Sequence, residues 1–199
     1  IVSNRQLNQI CQIRMGYSFR GRPDFSASGH IPVIQPKDVN TDGQIETKDL
    51  CRIEYPVGKP LVPGDVLLIN RGRFTAAVFD ERIGDCCVAT SAFMILTPND
   101  PEQILPEYLM LFLNSAEGQR NLKRLNETTT IPFLSLSNLE VMEVPVPPIE
   151  QQREIVVLGE MNRAYARLSA RKIELQNQIV THFMKAGRMP AARFQKEIA

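Results

Sequence analysis

The chain has little of what holds metals. Its 199 residues include four cysteines and two histidines, and none falls at a zinc-ligand spacing: Cys11 and Cys51 stand alone, Cys86 and Cys87 are adjacent, and His30 and His182 lie far apart. Without a CxxC or HxxxH pair the sequence offers no zinc site, and the cysteines read as buried, reduced thiols. No metal and no cofactor are expected. Long apolar runs are lacking as well. DVLLIN and the stretch from Val88 to Leu96 fall well short of the roughly 20 residues a spanning helix needs, and nothing resembles a signal peptide. The expectation is a soluble, cytoplasmic chain without membrane contact.

Charge is nearly balanced, at +1 for the whole chain, but unevenly placed. Residues 1–147 carry 14 basic and 17 acidic side chains, whereas residues 148–199 carry 9 and 5. A mildly acidic body thus precedes a basic tail.

What is present divides the chain in the same place. Residues 1–147 read as a strand-rich α+β domain with a few short helices, large enough for one core. HIPVIQP, LCRIEY, DVLLIN, AAVFD and CCVATSAFMIL are rich in β-branched and aromatic residues, bounded by the turn signals TDG, VPGD and RIGD, and predict a curved, largely antiparallel sheet. LNQICQIRMG places Leu7, Ile10 and Ile13 at helix-like or irregular spacing before a polar loop. Helix is predicted from Pro106, with Leu109, Phe112 and Leu113 facing the core and Gly118 dividing it in two. Ser135 or Ser137 is a candidate cap for a further short turn.

After Pro148 the pattern changes. From Ile149 to about Gly187 there is no proline, and apolar residues fall at Leu158, Met161, Tyr165, Leu168, Leu175 and Ile179, in steps of 3, 4, 3, 7 and 4, with Lys172 interrupting. This is a heptad seam, extended by Ile155 and Phe183, and it predicts one long C-terminal coiled-coil helix over 148–187 that needs a partner helix, followed by a tail over 188–199. Pro145, Pro147 and Pro148 are expected to stop the sheet and to make a rigid joint into that helix, with Glu150 suiting its dipole.

Several segments carry a resemblance. VPVPPIEQQREIV is similar to the passage from a target-recognition domain into the spacer helix of type I restriction-modification specificity (S) subunits. GHIPVIQPKDV, LVPGDVLLINRG, EYLMLFLNS and FLSLSNLEVMEVPVPP precede it in the family's order, so the resemblance covers roughly residues 7–187. Such subunits usually contain two recognition domains and two spacer helices. With one of each, this chain looks like a half S subunit or one half of a longer one. The resemblance implies a noncatalytic subunit that reads one half of a bipartite site in double-stranded DNA. It would self-associate through the C-terminal helix and scaffold modification (methyltransferase) subunits and a restriction (translocase-nuclease) subunit.

The residues agree with that division of labour. No FxGxG-like loop for S-adenosylmethionine and no NPPY or DPPY tetrapeptide for a flipped adenine is present. Pro23-Asp24 with Glu46-Thr47-Lys48 can be spelled as a metal-nuclease pattern, but that chemistry wants its Glu and Lys on a buried strand, and DGQIETKDL is polar and follows a turn. Two alternatives stay open at this point: the C-terminal specificity region of a single-chain methyltransferase-nuclease, and a coiled-coil dimerisation protein without a nucleic-acid role.

If DNA is the partner, three segments carry residues suited to base edges and phosphates. SFRGRPDFSASG offers Arg20 and Arg22. INRGRFT delivers Asn70, Arg71, Arg73 and Thr75 from a buried strand. LKRLNETTTIPF offers Lys123 and Arg124 for phosphate, with Asn126, Thr128, Thr129 and Thr130 facing a groove. His30, beside a glycine at a strand start, reads as structural.

Overall fold

The computed structural model describes residues 2–20, 28–84, 86–125 and 132–186. It is α+β. In chain order it runs β1 (Ser3–Gln6), α1 (Leu7–Ile10), β2 (Cys11–Met15), β3 (Ile31–Ile34), β4 (Cys51–Ile53), β5 (Val66–Ile69), β6 (Ala76–Val78), β7 (Val88–Ala89), β8 (Phe93–Pro98), α2 (Pro106–Asn114), α3 (Ala116–Arg124), α4 (Leu136–Glu140), β9 (Glu143–Val146) and α5 (Ile149–Ala186). Short 3-10 turns occupy Pro36–Asp38 and Glu81–Ile83.

The central sheet has the order β2-β8-β5-β6, antiparallel throughout, and a smaller sheet has the order β4-β3-β7, in which β3 and β7 run parallel. The central sheet's middle strands β5 and β8 are buried on both faces, which explains their apolar runs, whereas the edge strand β2 keeps exposed polar positions. Val66, Leu68, Met94 and Leu96 join α2, α3, α4 and β9 in the main core. Their neighbours Leu67, Ile69, Phe93 and Ile95 point the other way, into a second core with Ile34, Val39 and Ala89. CCVATSAFMIL therefore supplies two strands in different sheets, β7 and β8, rather than one.

The turn that launches β5 is held by Asp65. This fully buried carboxylate accepts the Thr97 hydroxyl at 2.5 Å and the Val62 N–H at 3.0 Å, and lies 3.5 Å from the Arg14 guanidinium. Pro106 opens α2 as predicted. The break between α2 and α3 is at Ser115, whose hydroxyl caps α3 by accepting the Gly118 N–H at 3.1 Å. Gly118 does not divide the helix; it sits inside α3, where a Cβ would lie 2.1 Å from the Phe112 carbonyl oxygen. Ser135 caps α4.

The LNQICQIRMG segment, read as helix-like or irregular in its spacing, forms one helical turn, α1, and then the strand β2, and the polar residues ahead of it form a strand as well. β1 pairs antiparallel with β9, Ser3 opposite Val146 and Gln6 opposite Glu143. Pro145 lies within β9 rather than ending it, because in a two-stranded ribbon a residue without an N–H costs no ladder bond on the outer edge. Its carbonyl accepts the Tyr108 hydroxyl at 2.7 Å, and burial holds that phenol above its usual pKa.

Two compact units are distinguished, Ile1–Val157 and Leu158–Ala199. The first turns of α5 belong to the body: its Gln152 is fully buried and Val156 packs on the main core. From Leu158 the helix continues to Ala186, and Leu158, Met161, Tyr165, Leu168, Leu175 and Ile179 are between 43% and 75% exposed. Among the described residues no helix is long and apolar enough to cross a membrane.

The cysteines are all free thiols. Cys11 and Cys87 are buried and Cys51 is half-buried, but Cys86 is exposed, with a left-handed φ of 56°. The expectation of four buried thiols is corrected at that position. It follows RIGD, so it sits on the turn rather than in the strand that begins at Val88.

Candidate nucleic-acid interface

The second and third segments singled out in the sequence meet at the end of β5. After Ile69 the chain turns through Asn70–Thr75 into β6, and the turn is closed by the Ile69 N–H donating to the Thr75 carbonyl at 3.0 Å. The segment Pro132–Leu134 lies antiparallel against it. Arg71 and Phe133 form a bridge pair, flanked by hydrogen bonds from the Gly72 N–H to the Pro132 carbonyl (2.8 Å) and from the Leu134 N–H to the Asn70 carbonyl (3.0 Å). Gly72 adopts a φ of 79° with open space beyond it, so glycine is favoured there by backbone conformation and not by crowding.

The other side of the turn is tied to α3. The Gln119 Nε2 donates to the carbonyls of Phe74 and Leu113, both at 2.7 Å. The Asn114 amide makes a two-way pair with the backbone of Ala76 on the edge strand β6, accepting its N–H at 2.9 Å and donating to its carbonyl at 2.8 Å. These ties leave a groove of about 440 Å³ lined by Thr41, Gly72, Arg73, Thr75, Asn114, Lys123 and neighbouring residues. Lys123 and Arg124, in the last turn of α3, are both exposed.

The individual side chains divide by what already occupies them. Asn70, expected to face DNA, is 3% exposed; its amide donates to the Ser91 carbonyl at 3.0 Å and reaches the Met15 sulfur at 3.8 Å. It is an internal peg, because the residue after a doubly buried strand still lies under the neighbouring β8 approach. Arg73 is also occupied: its guanidinium donates to the carbonyls of Pro36 (2.9 Å) and Val39, at the start of the 3-10 turn and just beyond its end. Arg73 is therefore a strut between that turn and the groove wall. Arg71 differs. It is exposed, its guanidinium carbon lies 5.5 Å from the centroid of the Phe133 ring, and among the described residues its N–H donors have no acceptor.

Arg20 is exposed at a bend just beyond Phe19, which packs on the small cluster of Ile31, Val33, Ile53 and Val88. No contact among the described residues joins Arg20 to the groove. Arg22, Asn126, Thr128, Thr129 and Thr130 lie outside the described residues. Glu46 and Lys48 are exposed on an irregular segment, not on a strand, and no His, Cys, Asp and Glu group among the described residues has a metal-holding arrangement. Phe133 and Gln119 were not singled out in the sequence. Phe133 carried one legible signal, an aromatic residue three positions after the polar run that ends at Thr130.

One wall of the groove carries Lys123, and the tied turn that supplies Gly72 and Arg73 to its other wall also carries the exposed Arg71. The chain belongs to the family of type I restriction modification DNA specificity domains, whose model matches residues 2–158. Three solved structures are similar to it. One, described as the structural basis underlying complex assembly and conformational transition of the type I R-M system, has a TM-score of 0.69 and 22% identity over 90% of this chain and 43% of that one. The S subunit of a type I restriction-modification system from M. genitalium has a TM-score of 0.61 and 15% identity, over 92% and 44%. The HsdS subunit from Thermoanaerobacter tengcongensis has a TM-score of 0.61 and 22% identity, over 86% and 39%. At these identities the likeness is one of fold, and the chain spans less than half the length of each. No curated protein matches it.

Proposed function

We propose that this chain is the DNA-reading module of a type I restriction-modification specificity subunit. It would read one half of a bipartite site through the rim around Arg71, Lys123 and Arg124, with Arg20 and Thr75 as further contacts. It would pair with a second copy along the seam of α5, and methyl transfer and cleavage would come from separate modification and restriction subunits in the cytoplasm.

The observation that carries this reading is the meeting of two cation-bearing segments at one groove, within a body that belongs to a DNA specificity family. The physics is consistent. Residues 1–147 hold more acid than base, so the body as a whole does not attract phosphate, and contact has to be made where basic side chains are concentrated. An arginine with unspent donors suits a guanine edge, while a terminal lysine on α3 suits a phosphate as a point charge.

The test is to incubate the full chain with a pool of duplexes carrying random cores, at low and moderate salt, and to sequence the bound fraction. A short enriched motif is expected, and a two-fold dimer should enrich it as an inverted repeat with an unspecified gap. Equal retention of all sequences would overturn specific reading, and no retention at either salt would overturn the DNA role.

A further inference from the structure

We propose that Phe133 is a positioning residue for Arg71, fixing its guanidinium for bidentate recognition of one guanine; this rests on the DNA-reading function above. Four other arginines of the body are held through their N–H donors. Arg14 donates to the carbonyls of Lys59 and Pro60, Arg52 to that of His30, Arg73 to those of Pro36 and Val39, and Arg82 is paired with Asp80. Each is oriented by spending its donors. Arg71 is oriented by a ring face, a contact that spends none of them.

The backbone makes the pairing deliberate. Arg71 and Phe133 are far apart in sequence, yet they stand opposite each other in a bridge closed on both sides by hydrogen bonds of 2.8 and 3.0 Å. Side chains at directly opposed positions of an antiparallel pair lie on the same face and in contact. The ring therefore has a fixed seat, and the guanidinium beside it loses rotational freedom before any ligand arrives. That is the preorganisation a planar two-bond contact needs, since a freely rotating arginine must be ordered on binding. Guanine, with its paired O6 and N7 acceptors, is the base such a fork matches.

The experiment uses the full chain and the duplex motif that it enriches from the random pool. An exposed cation–ring contact corresponds to about a two- to five-fold change in affinity. Phe133→Leu should lower affinity for the selected duplex by that factor and relax the same G·C position that Arg71→Ala relaxes. It should leave binding to a scrambled duplex unchanged. Phe133→Tyr should restore wild-type reading, and Phe133→Leu should have no further effect when Arg71 is already alanine.

Arg71→Lys gives a readout that does not depend on altering the ring: it should keep the salt dependence but lose the guanine preference. A Phe133→Leu defect that persists in the Arg71→Ala background, or that weakens the scrambled duplex equally, would make Phe133 merely structural and overturn the proposal. A motif that survives Arg71→Ala or Arg71→Lys intact would overturn it too, while leaving the DNA-reading function standing. If wild type enriches no motif, that function falls, and the proposal with it.

Discussion

The side-chain amide of Gln152, in the first turn of α5, caps another helix: its Oε1 accepts the backbone N–H of Leu105, the residue preceding α2, at 2.9 Å. Its Nε2 donates to the carbonyls of Gln103 and Pro147, both at 2.9 Å. One fully buried amide thus satisfies three backbone groups and ties the start of the long helix to the main core.

Removing it leaves those three groups unsatisfied in the interior. Gln152→Ala is expected to destabilise the body by about 2–4 kcal/mol, beyond the roughly 1 kcal/mol of a typical single hydrogen bond. Gln151→Ala, at the exposed neighbouring position, should cost less than about 0.5 kcal/mol. Urea unfolding followed by circular dichroism measures both; equal midpoints for the two variants would refute the capping role.

The two arginines of the INRGRFT turn should part company. Arg73→Ala removes a strut between the Pro36–Asp38 turn and the groove, and should lower stability by about 1–2 kcal/mol. Arg71→Ala should leave the melting temperature nearly unchanged while weakening the selected duplex by about 1–3 kcal/mol. Thermal melts and titrations on the same preparations separate the effects. A stability loss at Arg71 equal to that at Arg73 would contradict the assignment.

Burial pushes the Cys11 thiol up to about 12 from its usual 9.0. The folded state therefore holds its proton more tightly than the unfolded state does. The stability this contributes is fully present below pH 9 and declines as pH rises toward 12, by at most about 1.4 kcal/mol per pH unit. Cys11→Ala should flatten that alkaline decline. At pH 8 a maleimide should label exposed Cys86 first, with Cys11 and Cys87 reacting only on unfolding, as mass spectrometry of the labelled peptides would show.

The seam of α5 is expected to drive self-association, since six exposed apolar side chains gain roughly 1.5–3 kcal/mol each if fully covered. Leu168→Glu or Leu175→Glu should shift a dimer toward monomer in sedimentation analysis, and Lys172→Glu should do so less. A wild-type chain that is monomeric at tens of micromolar, with its helix intact, would refute the pairing.

What was legible in the sequence follows physical lines. β5 and β8 could be read because strands buried on both faces must be apolar at every position, and the long helix because its seam repeats over several heptads. β1 could not, since SNRQ is polar; only its pairing with β9 across the whole body makes it a strand. The candidate site was legible as segments but not as side chains. The β5 turn was located by the strand that delivers it, whereas the inward use of Asn70 and Arg73 is set by Ser91, Pro36 and Val39, neighbours that local pattern does not reveal. The break at Ser115 was missed for a related reason: Gly118 stands out in a helical run, but its absent side chain answers to the nearby Phe112 carbonyl.

The β1–β9 ribbon also constrains the order of events in folding. Its strands are about 140 residues apart in the chain, so its closure carries a large loop entropy and comes late. During synthesis, at roughly 5–20 residues per second, β1 waits at least several seconds for its partner to be made. A waiting strand is a hazard when it is apolar, because its open edge invites other chains. β1 is Ser-Asn-Arg-Gln, exposed along nearly its whole length even when paired, and so it can wait in water without becoming a template for aggregation.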